Sequence, residues 1–406
     1  MNSIKTLVIL HRPIYPPLYG YSKLILDTYI ALSKLGVDTY ILSINPRSNR
    51  IIKIDNVIYR EILEPKLVFM KLSTTRLLLR ISGNELFFMH LLNLLKNYSA
   101  DSIVNNVDKI VTSDFGKPDI IISETIYPSA LAQSLSKKYS SPLIIRTHNI
   151  ESEYVSSLSR VLSSFSHKFI SKVERKALAT ASRIITISSY DTIYVKEHYG
   201  LTNVNYIPPI VIVEKPVDSD KYLLKHGLIK NKFFIYVASP HKPNIDFLKN
   251  ILKCNSILKK HGYKLVISGS ISNIATKYVE KMGLENTVVT GILPSDELYG
   301  LISNSYVSLT PHHGTGVPIK LVEALALKTP VITTHNALKT INGLKHCENI
   351  YAVESISKIC YAIEEVIVNK EIYSKIQSNV EKISKTLDYR ILAEKYLATI
   401  KNVLEK

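Results

Sequence analysis

Residues 306–334, YVSLTPHHGTGVPIKLVEALALKTPVITT, gather residue types able to hold a charged ligand at the end of a strand. Gly314 and Gly316 flank Thr315, and the missing Cβ atoms let the backbone come close to a ligand. Pro318 suits the first turn of a helix, where the N–H groups around Val317 and Ile319 have no intrahelical partner and favour an anion. A diphosphate fits such a helix start. Lys320 adds a mobile cation, and Glu323, three residues on, shares its face and can accept hydrogen bonds from two ribose hydroxyls. Taken alone, the pair also reads as a solvated surface ion pair worth a few tenths of a kcal/mol.

A strand-loop-helix-strand unit of this kind needs a parallel sheet to position it. Short Ile- and Val-rich runs alternate with segments of helical period, the pattern of a parallel sheet covered on both faces. Strands are expected near 4–10, 38–44, 119–123, 143–147, 183–187 and 204–207, and again near 233–238, 263–268, 287–290, 305–310, 330–334 and 349–353. A chain of 406 residues exceeds the size at which one core keeps growing. The fold class is therefore α/β, with two doubly wound Rossmann-like domains facing each other across a cleft. Three prolines in IPPIVIVEKPVDSDKY mark a linker near 208–220, giving domains 1–210 and 211–389. Asp218, Ser219 and Asp220 precede a helical pattern and read as N-caps, so no metal is expected there. The stretch 390–406 carries an apolar stripe of Ile391, Leu392, Tyr396, Leu397, Ile400 and Leu404. In such sheets ligands bind beyond the carboxyl ends of the strands, which directs attention to the strand-to-helix loops.

Composition narrows the class. No apolar run approaches the ~20 residues of a membrane span. The opening MNSIKTLVILHRPIYPP has an apolar run too short for a signal-peptide core and reads as a first buried strand. The net charge of +17 is spread over both halves, and no arginine-rich arm or zinc-finger spacing points to nucleic acid. Cys254, Cys347 and Cys360 lack the spacing of a zinc site or disulfide framework, implying a reducing, cytoplasmic compartment. Residues 66–96 combine five Lys or Arg with one Glu and dense Leu, Phe and Met. They fit either a peripheral contact with an anionic membrane surface or helices packed under the first domain.

The 306–334 stretch resembles the nucleotide-binding signature of GT-B glycosyltransferases, especially the family-4 group that reads G-x-G-x-x-x-K-x-x-E-A, and the resemblance extends over nearly the whole chain. It implies donor contacts from Gly314, Thr315, Gly316, Val317 and Glu323, with Lys320 at the diphosphate. Tyr19-Gly20 matches the loop after the first strand, although only one glycine stands where many relatives have two. LIIRTHNIESEY is similar to the His-Asn-x-Glu segment, which puts His148 at the reaction centre, with Asn149 and Glu151 shaping the next helix. In YVASPHKPNIDFLKNIL, Ser239, His241 and Lys242 occupy a strand-to-helix loop, where Lys242 meets the diphosphate or stays a surface lysine. KLVISGS and VVTGILPSDELYGLI match the base-contact turns and place Gly269, Gly291 and Ile292 beside the nucleobase. One departure stands out: eight residues before Glu323, where the family has a second glutamate, this chain has Thr315, so contacts to the donor sugar fall to Thr315 or His313.

The resemblance implies retaining, metal-independent transfer of a hexose from a UDP- or GDP-type nucleotide sugar to a glycan or lipid-linked acceptor, with no further cofactor. His148, Lys242 and Lys320 are the expected catalytic residues, and the final helix is expected to pack back on the first domain. The location implied is cytoplasmic, with the inner face of the membrane as a peripheral site. A sugar-nucleotide epimerase or phosphorylase on the same frame, or a non-catalytic nucleotide- or glycan-binding protein, is the alternative reading.

Overall fold

A computed structural model describes residues 3–17, 19–45, 48–63, 101–157, 163–312 and 314–405; the basic segment 66–96 lies outside them. The chain divides into two compact units. The first comprises Met1–Ile210, Gly314–Gly316 and Arg390–Lys406, and the second Val211–His313 and Val317–Tyr389.

The first unit is built on eight strands: β1 (Ile4–Leu10), β2 (Val37–Asn45), β3 (Arg50–Ile54), β4 (Val57–Leu63), β5 (Ile120–Glu124), β6 (Leu143–Thr147), β7 (Arg183–Thr186) and β8 (Val204–Tyr206). Their order in the sheet is β3-β4-β2-β1-β5-β6-β7-β8. The central strands are buried along their length, as runs such as Leu7–Leu10 and Ile120–Ile122 require when helices cover both faces. Burying each such side chain contributes about 1.5–3 kcal/mol. The chain order reverses between β1 and β5, so this is the unit's topological switch point.

The sequence pattern did not place β3 and β4. They form a hairpin, with β3 antiparallel to β4 at the sheet edge and Asp55 at φ +50° in the turn. A βα rhythm has no room for a hairpin, whereas the Asp55-Asn56 pair, tolerant of left-handed backbone, was its local signal.

The helix Tyr389–Leu404 closes the first unit's core: Leu392, Ala393, Tyr396, Ile400 and Val403 are buried, and Asn205 Nδ2 donates to Thr399 Oγ1 at 3.3 Å. The buried stripe is rotated from the one expected. Ile391 is 54% exposed, and Ala393 and Val403 take part instead.

The second unit has six parallel strands, β9 (Phe233–Val237), β10 (Lys264–Ser268), β11 (Thr287–Gly291), β12 (Val307–Leu309), β13 (Val331–Thr334) and β14 (Tyr351–Val353), in the order β11-β10-β9-β12-β13-β14. This is the dinucleotide-fold order, with its switch point between β9 and β12. Residues 207–219 between the two sheets form neither helix nor strand. Ser219 is the N-cap residue of the helix Asp220–Lys225, and its Oγ accepts from Asn304 Nδ2 at 2.9 Å.

Cys254 and Cys360 are joined by a disulfide, correcting the expectation of unpaired thiols. They are 106 residues apart, and the packing of the helices Lys242–Leu252 and Asn255–Lys260, the second N-capped by Cys254, against Ile359–Val368 brings their Cα atoms to 5.1 Å. Wide spacing therefore said nothing about pairing, and the inference of a reducing compartment loses its basis. Among the described residues no helix is long and apolar enough to cross a membrane.

Candidate active site

In the first unit the residues of interest gather at the carboxyl ends of β1, β5 and β6. His148 follows β6 directly and is buried, with its Nε2 2.6 Å from Glu124 Oε2 at the end of β5. Glu124 Oε1 accepts from Arg146 Nη1 at 3.0 Å and from the Tyr29 hydroxyl at 2.5 Å, and Arg146 Nη2 donates to Thr28 Oγ1 at 3.1 Å. The Tyr396 ring of the last helix lies 5.8 Å from the Arg146 guanidinium.

Burial alone would raise the Glu124 pKa, but Arg146 and the hydrogen bonds from His148 and Tyr29 outweigh it and bring it down to about 2. His148 is held below the usual histidine range because burial, with Arg146 and Arg12 nearby, outweighs the pull of Glu124. The site therefore holds a neutral imidazole against an ionised carboxylate near neutral pH.

Helix Gly20–Ser33 starts beside this cluster. Its Tyr21 ring lies 5.2 Å from the His148 ring, and the Arg12 guanidinium sits 3.8 Å from the centre of the Tyr21 ring. Gly20 is the first residue of that helix and is exposed, with Tyr19 as N-cap. Glu151 opens the helix Glu151–Ser157, accepts from the Tyr127 hydroxyl at 2.6 Å and is pushed up to about 8, mainly by burial. The N–H groups of Glu151 and Ser152 are capped by Glu174, from another helix, at 2.8 and 3.1 Å. That cap fixes the loop carrying His148 and Asn149.

Gly314–Gly316 belong to the same unit. Gly316 has φ +77°, and a Cβ there would overlap Asn149 Oδ1 and come within 2.7 Å of the His148 carbonyl oxygen, so both conformation and space require glycine. Gly314 is exposed with open space around it, and its glycine is not sterically required. The Thr315 hydroxyl between them is buried without a hydrogen-bond partner among the described residues. His313 lies outside the described residues.

In the second unit the turns after β9 and β10 pack backbone against backbone. Gly269 has φ +96°, and a Cβ there would overlap the Ala238 carbonyl oxygen. Its N–H donates to Gly291 O at 2.7 Å, which ties the end of β10 to the end of β11. Ile292, just past β11, is 77% exposed, an apolar surface beside that turn. The Ser239 carbonyl accepts from His241 N at 2.8 Å and Asn244 Nδ2 at 2.9 Å, closing the turn into helix Lys242–Leu252.

Lys320 and Glu323 lie on helix Ile319–Ala326 and are not a solvated pair. Lys320 is half-buried and its Nζ donates to Val237 O, at the end of β9, at 2.6 Å. Burial brings its pKa down to about 8, against the opposing pull of Glu323. Glu323 is buried, and Tyr299 donates its hydroxyl to Oε1 at 3.1 Å. The helix begins one residue later than expected, since Pro318 is its N-cap and Val317 precedes it. An ammonium, a carboxylate and the free first-turn N–H groups thus converge at the switch point of this sheet, where they can bind a diphosphate and a diol.

The structure does not bring Lys242 into this group. Its side chain is 86% exposed and pairs with Asp246, one turn along its own helix, at 2.6 Å. An exposed pair of that kind contributes little. His241, the N-cap of that helix, is also exposed.

Glu124, Arg146, Tyr29, Tyr21 and Arg12 were not anticipated. The available signal was a charged residue inside a buried strand: Arg146 in LIIRT and Glu124 at the end of IIISE each demand a partner once the strands are placed in a core.

Two Rossmann-like units, each built on a largely parallel sheet with its candidate residues at the carboxyl ends of the strands, are the architecture of the GT-B fold. Family models agree along most of the chain: one described as Glycosyltransferase Family 4 matches residues 20–215, and one described as Glycosyl transferases group 1 matches residues 231–369. No curated protein matches the chain. Among solved structures, sucrose-phosphate synthase from Thermosynechococcus elongatus has a TM-score of 0.72 at 13% identity, covering 98% of both chains. Anabaena HepE in complex with UDP and glucose has a TM-score of 0.63 at 14% identity, covering 98% of this chain and 100% of that one. A glycosyltransferase from Rickettsia africae has a TM-score of 0.61 at 13% identity, covering 100% of both. The chain belongs to the group 1 glycosyltransferases and is family-4-like.

Proposed function

We propose that this glycosyltransferase moves a hexose from a UDP- or GDP-linked donor to a glycan or lipid-linked acceptor, with retention of anomeric configuration and without a metal ion. The observation that carries the reading is the convergence of Lys320, Glu323 and the start of helix Ile319–Ala326 at the switch point of the second sheet. A nucleoside diphosphate has complementary chemistry: an anionic diphosphate for Lys320 and the N–H groups, and a ribose diol for Glu323. Gly269, Gly291 and exposed Ile292 offer backbone and apolar surface to a base. HepE, whose structure holds UDP and glucose, supports the UDP type.

In the reaction the bond from the anomeric carbon to the diphosphate oxygen breaks and that carbon bonds to an acceptor hydroxyl. The hydroxyl proton passes to the departing phosphate oxygen. Lys320 and the helix start stabilise the charge that builds on the diphosphate, a preorganised electrostatic contribution. His148, at the carboxyl end of β6, is the candidate catalytic residue of the first unit, and Thr315, at the sequence position of the family's first glutamate, has a buried hydroxyl with no hydrogen-bond partner among the described residues.

A thermal-shift screen against nucleotide sugars, repeated with Glu323→Gln, tests the reading. A ligand at 100 times its Kd stabilises by about 2.7 kcal/mol. Glu323→Gln is expected to abolish most of that shift while the unliganded melting temperature stays close to wild type. No shift with any UDP- or GDP-sugar, or an unchanged shift in the variant, overturns it.

A further inference from the structure

The Glu124–His148 contact decides which imidazole nitrogen faces a ligand. Glu124 is fully buried and its two oxygens receive Tyr29, Arg146 and His148, so it is an ionised group that only accepts. A neutral imidazole beside it must place its single proton on Nε2. Nδ1 then carries the lone pair, and among the described residues it has no hydrogen-bond partner. On one flank stands the Tyr21 ring, itself covered by Arg12, and neither offers Nδ1 a competing carboxylate.

We propose that Glu124 is a positioning residue that fixes His148 as the Nε2–H tautomer, so that His148 meets its substrate through Nδ1 as a hydrogen-bond acceptor. The group it takes is therefore a hydroxyl, which can donate, and not a carbonyl or phosphate oxygen. This deepens the catalytic reading and rests on it. Arg146 and Tyr29 serve the same end by holding the carboxylate in place: Arg146 is tied in turn to Thr28 on helix Gly20–Ser33 and lies under Tyr396 of the last helix. The tautomer of His148 thus depends on elements from both ends of the chain.

The test is a long-range proton–nitrogen correlation spectrum of the full chain labelled with nitrogen-15 histidine, near neutral pH, with His148→Asn used to assign the resonance. The expected spectrum shows a protonated Nε2 and an unprotonated Nδ1; the reverse pattern, or two protonated nitrogens, overturns the proposal. Glu124→Asp keeps a counter-charge for Arg146 but withdraws the carboxylate by one methylene. It is expected to mix the tautomers and to slow UDP release from UDP-glucose by about tenfold or more, with the Kd for UDP within about threefold. An unchanged tautomer and turnover within about twofold in that variant also overturn the proposal, and if the variant fails to fold, the wild-type spectrum decides. Wild-type turnover in His148→Asn sinks the catalytic reading itself and with it the substrate role of Nδ1, even where the spectrum is as expected.

Discussion

Lys320 gives a prediction whose size follows from its surroundings. Its ammonium is half-buried, donates to Val237 O and has its pKa brought down to about 8 by burial, against an ordinary value near 10.5. A bound diphosphate supplies the negative charge that the burial lacks and restores the protonated form. From a pKa of about 8, roughly one Lys320 in ten is neutral at pH 7, about half at pH 8 and about nine in ten at pH 9. Binding of UDP is therefore expected to take up about 0.1 proton at pH 7 and about 0.9 at pH 9, and the affinity to fall about tenfold across that span. Calorimetry in two buffers of different ionisation enthalpy reads the proton uptake directly. Lys320→Arg, whose guanidinium stays charged, separates this from ionisation of the base and is expected to show a flat profile below pH 9. The same shift makes Lys320 a destabilising group. The folded protein releases this proton more readily than the unfolded chain, so a penalty of about 3 kcal/mol is complete below pH 8 and is relieved as pH rises from 8 toward 10.5. Proton uptake near zero at pH 9, or identical in wild type and Lys320→Arg, would refute the assignment of Lys320 to the diphosphate.

Three further outcomes are expected. His148→Ala should lower turnover by about tenfold or more while the UDP affinity is retained; full activity would remove His148 from the reaction. Gly269→Ala should cost about 2 kcal/mol or more in urea unfolding, from positive φ and the clash with Ala238 O, whereas Gly314→Ala should change stability by less than about 0.5 kcal/mol. Equal losses at the two glycines would contradict the geometry of both turns. Tyr396→Ala, deleting a fully buried ring beside Arg146, should destabilise the first unit by about 3–5 kcal/mol, and a loss below about 1 kcal/mol would mean that the last helix is not part of that core.

The sequence by itself determined the α/β class, the parallel strands other than β4, and the helix carrying Lys320 and Glu323, because these depend on local period and on residue type at short range. Buried Ile-Val runs can only be interior strands, and a Gly-x-Gly loop before a helix concentrates N–H groups wherever the helix stands. Glycine's purpose was less legible: Gly316 is forced by Asn149 and the His148 carbonyl, more than 160 residues away in the chain, while Gly314 beside it is under no such constraint. The β3–β4 hairpin interrupted a rhythm that the pattern continued through it, and the Cys254–Cys360 bond joins residues whose proximity only helix packing creates. Tertiary structure alone decided the chemistry around His148. Its environment is assembled from β5, β6, helix Gly20–Ser33 and the last helix, and a pKa or a tautomer depends on charges a few ångströms away in space, not on neighbours in the chain. For the same reason Lys242, which the sequence left open between a diphosphate contact and a surface lysine, points into solvent with Asp246 while Lys320 turns inward to β9.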